Sequence, residues 1–497
     1  MCIAHMPPSV FVLRARSIRR RMSQGGTTEA GERPVYGGRG PMTNLTIPVW
    51  NPATEEQIDE VRAFTRADVD VAVERAVAAQ RSWARLPIAQ RQRFLFDLAD
   101  AVSRHREELA SLESRDVGKP MTAALAEADS VAGVFRYYAG TIDKLTGETI
   151  PVDGGVAMTF REPIGVVGVI TPWNFPLPIA SWSIAPALAA GNAVIVKPAS
   201  MTPLSTVRFG ELAAEVSPIP HLLQVVTGGG AEVGSTLIED SRVGKISFTG
   251  STEVGRSILR SSADTMKRVT LELGGKSANV VFADADIAKA AASAPWAVFD
   301  NTGQDCCARS RILVQRPALD EFLEKFVAAT SALRIGDPSR LDTDLGPLVS
   351  QEHRTTVESF LDDKLDVVFK GSTPDGPGYW MAPHIAVDQD GSTRAARDEI
   401  FGPVAVVIPF DTEEEAVRLA NETIYGLSGS IWTSNVGRAL RVARGVESGT
   451  LSVNSNSSIR VQVPFGGFKQ SGIGRELGME GVRGFTEPKS VFINTES

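Results

Sequence analysis

Hydrophobic positions change rhythm several times along this chain. From Asp68 to about Leu86, and again from Ile88 to about Val117, apolar residues recur every three or four positions among Arg, Glu and Gln. That spacing predicts two amphipathic helices covering something larger. Between Gly165 and Phe282 the rhythm becomes short β-rich runs separated by helical stretches. GVVGVIT, NAVIVKPA, LLQVVTG, KISFTG and VTLELGGKSANVVF read as strand-bearing runs, with SWSIAPALAAG, PLSTVRFGELAAEV and STEVGRSILRS as the helices between them. Strands joined through helices run parallel and are covered on both faces, the layout of a dinucleotide-binding sheet.

A second alternating stretch runs from near Asp284 to about Asn454. RILVQ and VAVVIPF are its clearest strands, and 318–333 reads as a helix. Thr412 and Glu415 predict a capping box opening the helix that carries Ala416 and Leu419. The segment 154–162 reads as a hairpin arm, and FTEPKSVFINT near the C-terminus as a strand. These two remote segments have the pattern to pair and protrude as an association arm. The fold class expected is therefore α/β, with two sheet-containing domains and a small β arm.

Composition narrows the function classes. The chain has 497 residues, 43% hydrophobic, long enough for two or three domains. No run approaches the roughly 18 apolar residues of a membrane span; even the stretch beginning at Gly165 stops at Thr171 and Pro172. Net charge is −8, but residues 1–41 carry seven arginines against Glu29 and Glu32, which leaves −13 on the remainder. An acidic body argues against nucleic acid as a partner. The basic leader reads as a disordered extension or as sequence upstream of a start near Met42, although its arginine-rich, acid-poor make-up also fits a targeting segment. With only Cys2, Cys306 and Cys307, the chain suits a reducing, cytoplasmic setting rather than a disulfide framework.

Four segments hold candidate chemistry. In FDNTGQDCCARSR, Cys306 sits in a Gly-containing loop whose amides could lower a thiol pKa, while Cys307 reads as a small buried neighbour. In VTLELGGKS, Glu272 interrupts an apolar run, as a buried general base would and as an exposed strand-end Glu also would. In TPWNFP, Asn174 between two prolines has the rigidity of an oxyanion donor and equally the type of an ordinary turn residue. In FTGSTEVG, Ser251 opens a helix where a pyrophosphate could sit, and Lys197 ends another β run in KPAS. The five histidines lack metal-ligand spacing with the cysteines, so no metal is expected.

Taken together, PWNFP, KPAS, FTGSTEVG, LELGGKS, GQDC, EIFGP and PFGGFKQSGIGRELG resemble, in order and relative spacing, the motifs of the aldehyde dehydrogenase superfamily, from about Asn51 to Asn494. The resemblance implies a Rossmann-like dinucleotide-binding domain (42–141 and 164–275), a catalytic domain (276–479) and an oligomerisation arm (142–163 and 480–497). It implies oxidation of an aldehyde to a carboxylic acid with NAD or NADP. Cys306 would be the nucleophile, Glu272 the base that activates water, and Asn174 the oxyanion donor, assisted by the Cys306 amide. Trp173, Lys197, Ser200, Ser251, Glu399 and Phe401 match cofactor positions, and Glu476 matches a residue that helps carry the proton away.

The tunnel positions hold Phe175, Ile179, Trp182, Asp305, Cys307, Ile459, Arg460 and Phe465, with Asp305 suiting a cationic aldehyde and Arg460 an anionic one. NAD-specific relatives often carry Glu where this chain has Ser200. A homodimer or homotetramer and a small-molecule aldehyde are the partners implied. A CoA-acylating enzyme, or a non-catalytic protein on the same scaffold, are the rivals, and the presence of Glu272 with Cys306, Asn174 and Lys197 counts against both.

Overall fold

The computed structural model describes residues 45–361 and 365–496. The basic leader and Met42 lie outside the described residues. A parallel sheet forms where the short β-rich runs were expected. Its strands lie in the order Arg268–Glu272, Val243–Thr249, Val166–Ile170, Ala193–Lys197, Leu223–Val225, all parallel. The first strand in the chain lies centrally, with later strands added first to one side and then to the other. This places a topological switch point between Ile170 and Phe248, at the carboxyl ends where open α/β sheets bind ligands. Helix Pro176–Ala189 is buried at every position, which its apolar sequence permits.

A second sheet is parallel from His384–Val387 through Val404–Phe410, Arg311–Gln315, Ala278–Val281 and Ser428–Trp432 to Thr450–Val453, with Asp366–Lys370 antiparallel at one edge. The run VTLELGGKSANVVF is therefore not one element. Its first half, Arg268–Glu272, belongs to the first sheet and its second half, Ala278–Val281, to the other, so 273–277 crosses between the two layers. The short strand Gly472–Ile473 returns from the late sequence and pairs antiparallel with Glu272 and Leu271. The first sheet thus gains an edge from a segment far along the chain.

The remote arm segments do pair: Thr486–Asn494 runs antiparallel to Gly155–Pro163, which also pairs with Thr149–Val152. Two local expectations are corrected. The stretch from Ile88 to Val117 is two helices, Ile88–Arg104 and Arg106–Val117, broken at His105 (φ −102°, ψ 20°). Thr412 does cap its helix by accepting from the Glu415 amide at 3.2 Å, but the Glu415 carboxylate bonds the Asp411 amide at 2.8 Å rather than closing the box on Thr412. A complete capping box forms instead at Thr65 and Asp68.

Candidate active site

The crossing segment and the loop before Cys306 meet where the two sheets face each other. A Cβ on Gly275 would stand 2.2 Å from the Cys306 carbonyl oxygen, so only glycine lets the strands approach this closely. The loop is wound tightly: Asn301 (φ 48°), Thr302 (φ 58°) and Gly303 (φ 75°) are all left-handed, a conformation that costs a β-branched threonine most. Its surroundings hold it there. Thr302 Oγ1 donates to Gly346 O at 2.8 Å, Asn301 Nδ2 to Asn174 O at 3.1 Å, and Gln304 Oε1 accepts from Val349 N at 2.9 Å.

The turn Asp305–Cys307, closed by a 2.9 Å bond from the Cys307 amide to Asp305 Oδ1, brings the thiols and the carboxylate within 4.8 Å of one another. Both cysteines are free; Cys306 is partly exposed and Cys307 buried. A hydrogen bond with the Cys307 thiol, together with burial, pushes the Cys306 pKa well above the ordinary thiol value. The Cys306 thiol is therefore protonated at neutral pH.

One cleft is lined by Phe175, Ile179, Trp182, Thr249, Glu272, Asp305, Cys306, Cys307, Ile459, Phe465 and Glu476. Most of the tunnel positions thus converge with Glu272 and Glu476. Trp182 and Phe465 meet edge to face at 5.2 Å. Arg460 is not among the lining residues: it is exposed and donates at 2.7 Å to Ser457 Oγ and to the Ile459 carbonyl.

Both Glu272 oxygens are buried without a hydrogen-bond partner among the described residues. Such burial costs an ionised carboxylate several kcal/mol, and with Glu476 adjacent it pushes the Glu272 pKa well above the usual range. Glu476 Oε1 accepts from Ser183 at 2.7 Å, and burial raises that carboxyl to about 7. Asn174 is buried, its Nδ2 donating to Gln304 O at 2.9 Å, and it is not among the residues that line the cleft.

At the carboxyl ends of the first sheet, Lys197 is buried, its ammonium bonded to the Pro198 carbonyl at 3.0 Å and its pKa lowered to about 8 by burial. Its stem runs 3.7 Å from the Cβ position of Gly234, and the Cβ positions of Gly229 and Gly230 meet open space. Ser200 donates to Gly228 O at 3.1 Å on the same rim. Ser251 caps helix Thr252–Ala263, accepting from the Val254 amide at 3.3 Å. A buried cation with no carboxylate partner among the described residues, an open glycine rim and a helix start are groups whose chemistry fits a dinucleotide.

Across the crossing segment, Glu399 Oε1 accepts from the Gly275 amide at 2.9 Å, and burial raises its carboxyl to about 7. Phe401 (φ 58°) packs edge-on to Trp173 at 5.3 Å.

Sequence reasoning missed two supports. His353 packs on Trp173 at 5.1 Å and its Nε2 bonds the Phe401 carbonyl at 2.8 Å, with no motif to announce it. Lys119, buried between Glu113 and Glu127, lies 4.3 Å over the Phe175 ring, while Glu113 Oε1 accepts from the Leu177 amide at 2.9 Å. Charged residues in and between amphipathic helices give no sign that they will be buried; only the packing against helix Pro176–Ala189 shows it.

A two-sheet α/β scaffold with two thiols and three buried carboxylates in its cleft, and a rim at its switch point that fits a dinucleotide, is that of a cofactor-dependent oxidoreductase. Residues 41–491 match the model of the aldehyde dehydrogenase family. The chain is 41% identical to betaine aldehyde dehydrogenase of Bacillus subtilis, over 90% of this chain and 94% of the relative. It is 42% identical to human retinaldehyde dehydrogenase 3, over 89% and 88%. The structure of betaine aldehyde dehydrogenase from Staphylococcus aureus in complex with NAD+ superposes with a TM-score of 0.88 at 38% identity, covering 91% of this chain and 92% of that one. The chain belongs to the aldehyde dehydrogenase family and is an oxidoreductase acting on aldehydes.

Proposed function

We propose that the protein oxidises an uncharged, apolar aldehyde to its carboxylic acid through a thioester on Cys306 that water, activated by Glu272, then hydrolyses. The observation that carries this is the Glu272 carboxylate, buried and unpaired in the same cleft as the Cys306 thiol. Once the Cys306 thiol has given its proton to solvent, the thiolate adds to the aldehyde carbon, and the oxygen that becomes negative would be met by the Asn174 side-chain amide and the Cys306 backbone amide. When bound, the nicotinamide cofactor accepts the hydride that leaves that carbon. Glu272 then takes a proton from water, whose oxygen bonds the acyl carbon as the C–S bond breaks.

Lys197, Ser200 and Ser251 would hold the adenosine and pyrophosphate side of the dinucleotide, and Trp173, Glu399 and Phe401 its nicotinamide side. Ser200 brings no negative charge to repel a 2′-phosphate, which supports use of NADP+ as well as NAD+. The aromatic lining and the outward engagement of Arg460 favour an apolar substrate over a carboxylate-bearing one. A reducing compartment such as the cytoplasm suits the two free thiols.

The division into a dinucleotide domain (42–141 and 164–275), a catalytic domain (276–479) and an arm (142–163 and 480–497) accords with the two sheets and the paired arm. Exposed Ile150, Val152, Phe160, Phe492 and Ile493 on that arm support a homodimer or homotetramer. The test is a panel of apolar, cationic and carboxylate-bearing aldehydes run with NAD+ and with NADP+, following reduced cofactor. Apolar aldehydes should give the highest kcat/KM. Acyl-CoA as the main product on adding CoA would refute the hydrolytic assignment.

A further inference from the structure

Aldehyde oxidation as proposed gives work to one thiol, yet the turn at 305–307 holds two. Side chains of consecutive residues usually diverge, and here a turn gathers three of them. The Cys307 amide donates to Asp305 Oδ1 at 2.9 Å and the Ala308 amide to the Asp305 carbonyl at 3.0 Å, which folds the carboxylate back over the thiols. Both Sγ atoms and an Asp305 oxygen then lie within 4.8 Å of one another, with the two thiols hydrogen-bonded. Bonds from Asn301, Thr302 and Gln304 to other segments fix the loop that leads into the turn.

A fourth ligand faces the same cleft. Both Glu272 oxygens are buried with no hydrogen-bond partner among the described residues, and the carboxylate is near enough to Cys307 for the charge of one to act on the other. A carboxylate buried in this way is stabilised by a cation that reaches it. Two sulfurs and two carboxylate oxygens select a soft or borderline dication over magnesium or calcium, which take oxygen ligands.

Tetrahedral zinc, with bonds of about 2.3 Å to sulfur and about 2.0–2.2 Å to oxygen, sets its ligand atoms roughly 3.3–3.8 Å apart. The three ligand atoms of the turn reach that spacing by side-chain shifts of about 1 Å. Two cations stand close by: Arg309, which bonds the Cys307 carbonyl at 3.1 Å, and Arg475 beside Glu272. Four ionised ligands outweigh them, so the set keeps a net negative charge for the ion.

We propose that Asp305, Cys306, Cys307 and Glu272 form a site for a thiophilic divalent cation, zinc above all, whose occupancy reversibly shuts the enzyme off. Each thiol, and the Glu272 carboxyl where it is protonated, releases its proton to solvent as it bonds the metal, with no change of oxidation state. The ion occupies the sulfur that would add to an aldehyde and the carboxylate that would activate water. The effect on turnover rests on those proposed roles of Cys306 and Glu272; the binding itself does not. Cys307, idle in the oxidation, separates this set from a single reactive thiol.

The experiment uses the full-length enzyme, reduced, freed of metal and without cofactor, with Zn2+ or Cd2+ as the ion. Competition with a chromophoric chelator reads Zn2+ affinity and stoichiometry, and the ultraviolet thiolate-to-cadmium band reads the number of thiolates. One ion per chain and a two-thiolate band are expected. Cys307→Ala should halve the band and weaken Zn2+ by at least about a hundredfold, more than the loss of a support behind a ligand costs. Asp305→Asn should also weaken Zn2+ while the band stays at two thiolates. Aldehyde oxidation by the wild type should fall over the Zn2+ range in which the ion binds and return on adding EDTA. In Cys307→Ala that range should move up by the same factor as the affinity. A one-thiolate band in the wild type, or unchanged Zn2+ affinity in either variant, would overturn the site. If Cys307→Ala does not fold, Asp305→Asn and the wild-type band decide. Two-thiolate binding that leaves oxidation intact would instead overturn the inhibition, and Cys306 as the nucleophile with it.

Discussion

Two adjacent thiols occupy the cleft, and their roles separate by exposure: Cys306 is reachable, Cys307 sealed. Cys306→Ala is expected to abolish aldehyde oxidation, whereas Cys307→Ala should retain a substantial part of it, because the bonds of the Cys307 amide and carbonyl do not depend on its thiol. Steady-state rates of the two variants measure this. A pH profile tests the carboxylate beside them. Burial raises the pKa of Glu272, the hydrogen bond with Cys307 together with burial raises that of Cys306, and in the proposed reaction both act deprotonated, so turnover should climb with pH from neutrality upward. Glu272→Gln should cut turnover by orders of magnitude while acyl-enzyme accumulates to near stoichiometric amounts in the mass spectrum. A Gln variant that turns over normally would place the base elsewhere. Asn174→Ala should lose about 10²- to 10³-fold in kcat, as the loss of one oxyanion donor does.

At the scale of elements, most strands were legible because parallel, doubly covered strands are short apolar runs. What the pattern hid was where such a run changes layers. The stretch from Val269 to Phe282 reads as one strand-bearing run, yet Gly274 and Gly275 let it cross from one sheet to the other against the loop that carries Cys306. Gly275→Ala would force a methyl to within 2.2 Å of the Cys306 carbonyl oxygen. It should destabilise the fold by about 1–3 kcal/mol and depress activity, read from denaturant midpoints and kcat. The Ala193–Lys197 strand carries a different lever in Ser200 just beyond its end. Ser200→Glu is expected to depress kcat/KM for NADP+ selectively, since a carboxylate there repels a 2′-phosphate. Undiminished NADP+ use in that variant would show that position 200 does not govern the choice.

For the whole molecule, the arm joins residues more than 300 positions apart, Gly155–Pro163 with Thr486–Asn494, and leaves apolar side chains exposed. Phe160→Glu with Phe492→Glu should lower the molar mass measured by light scattering relative to wild type. An unchanged mass would mean that association uses another face.

The sequence by itself determined the strand and helix alternation and the ordered motifs around Asn174, Lys197, Ser251, Glu272, Cys306 and Glu399. It could do so because hydrophobic period and local turn chemistry are properties of neighbouring residues. Only the tertiary structure decided that Glu272 is unpaired, that Arg460 engages its own loop instead of lining the cleft, and that Lys119 and His353 brace the site. Those properties depend on which distant segments are packed together, and burial and pairing are set by the neighbours that folding supplies.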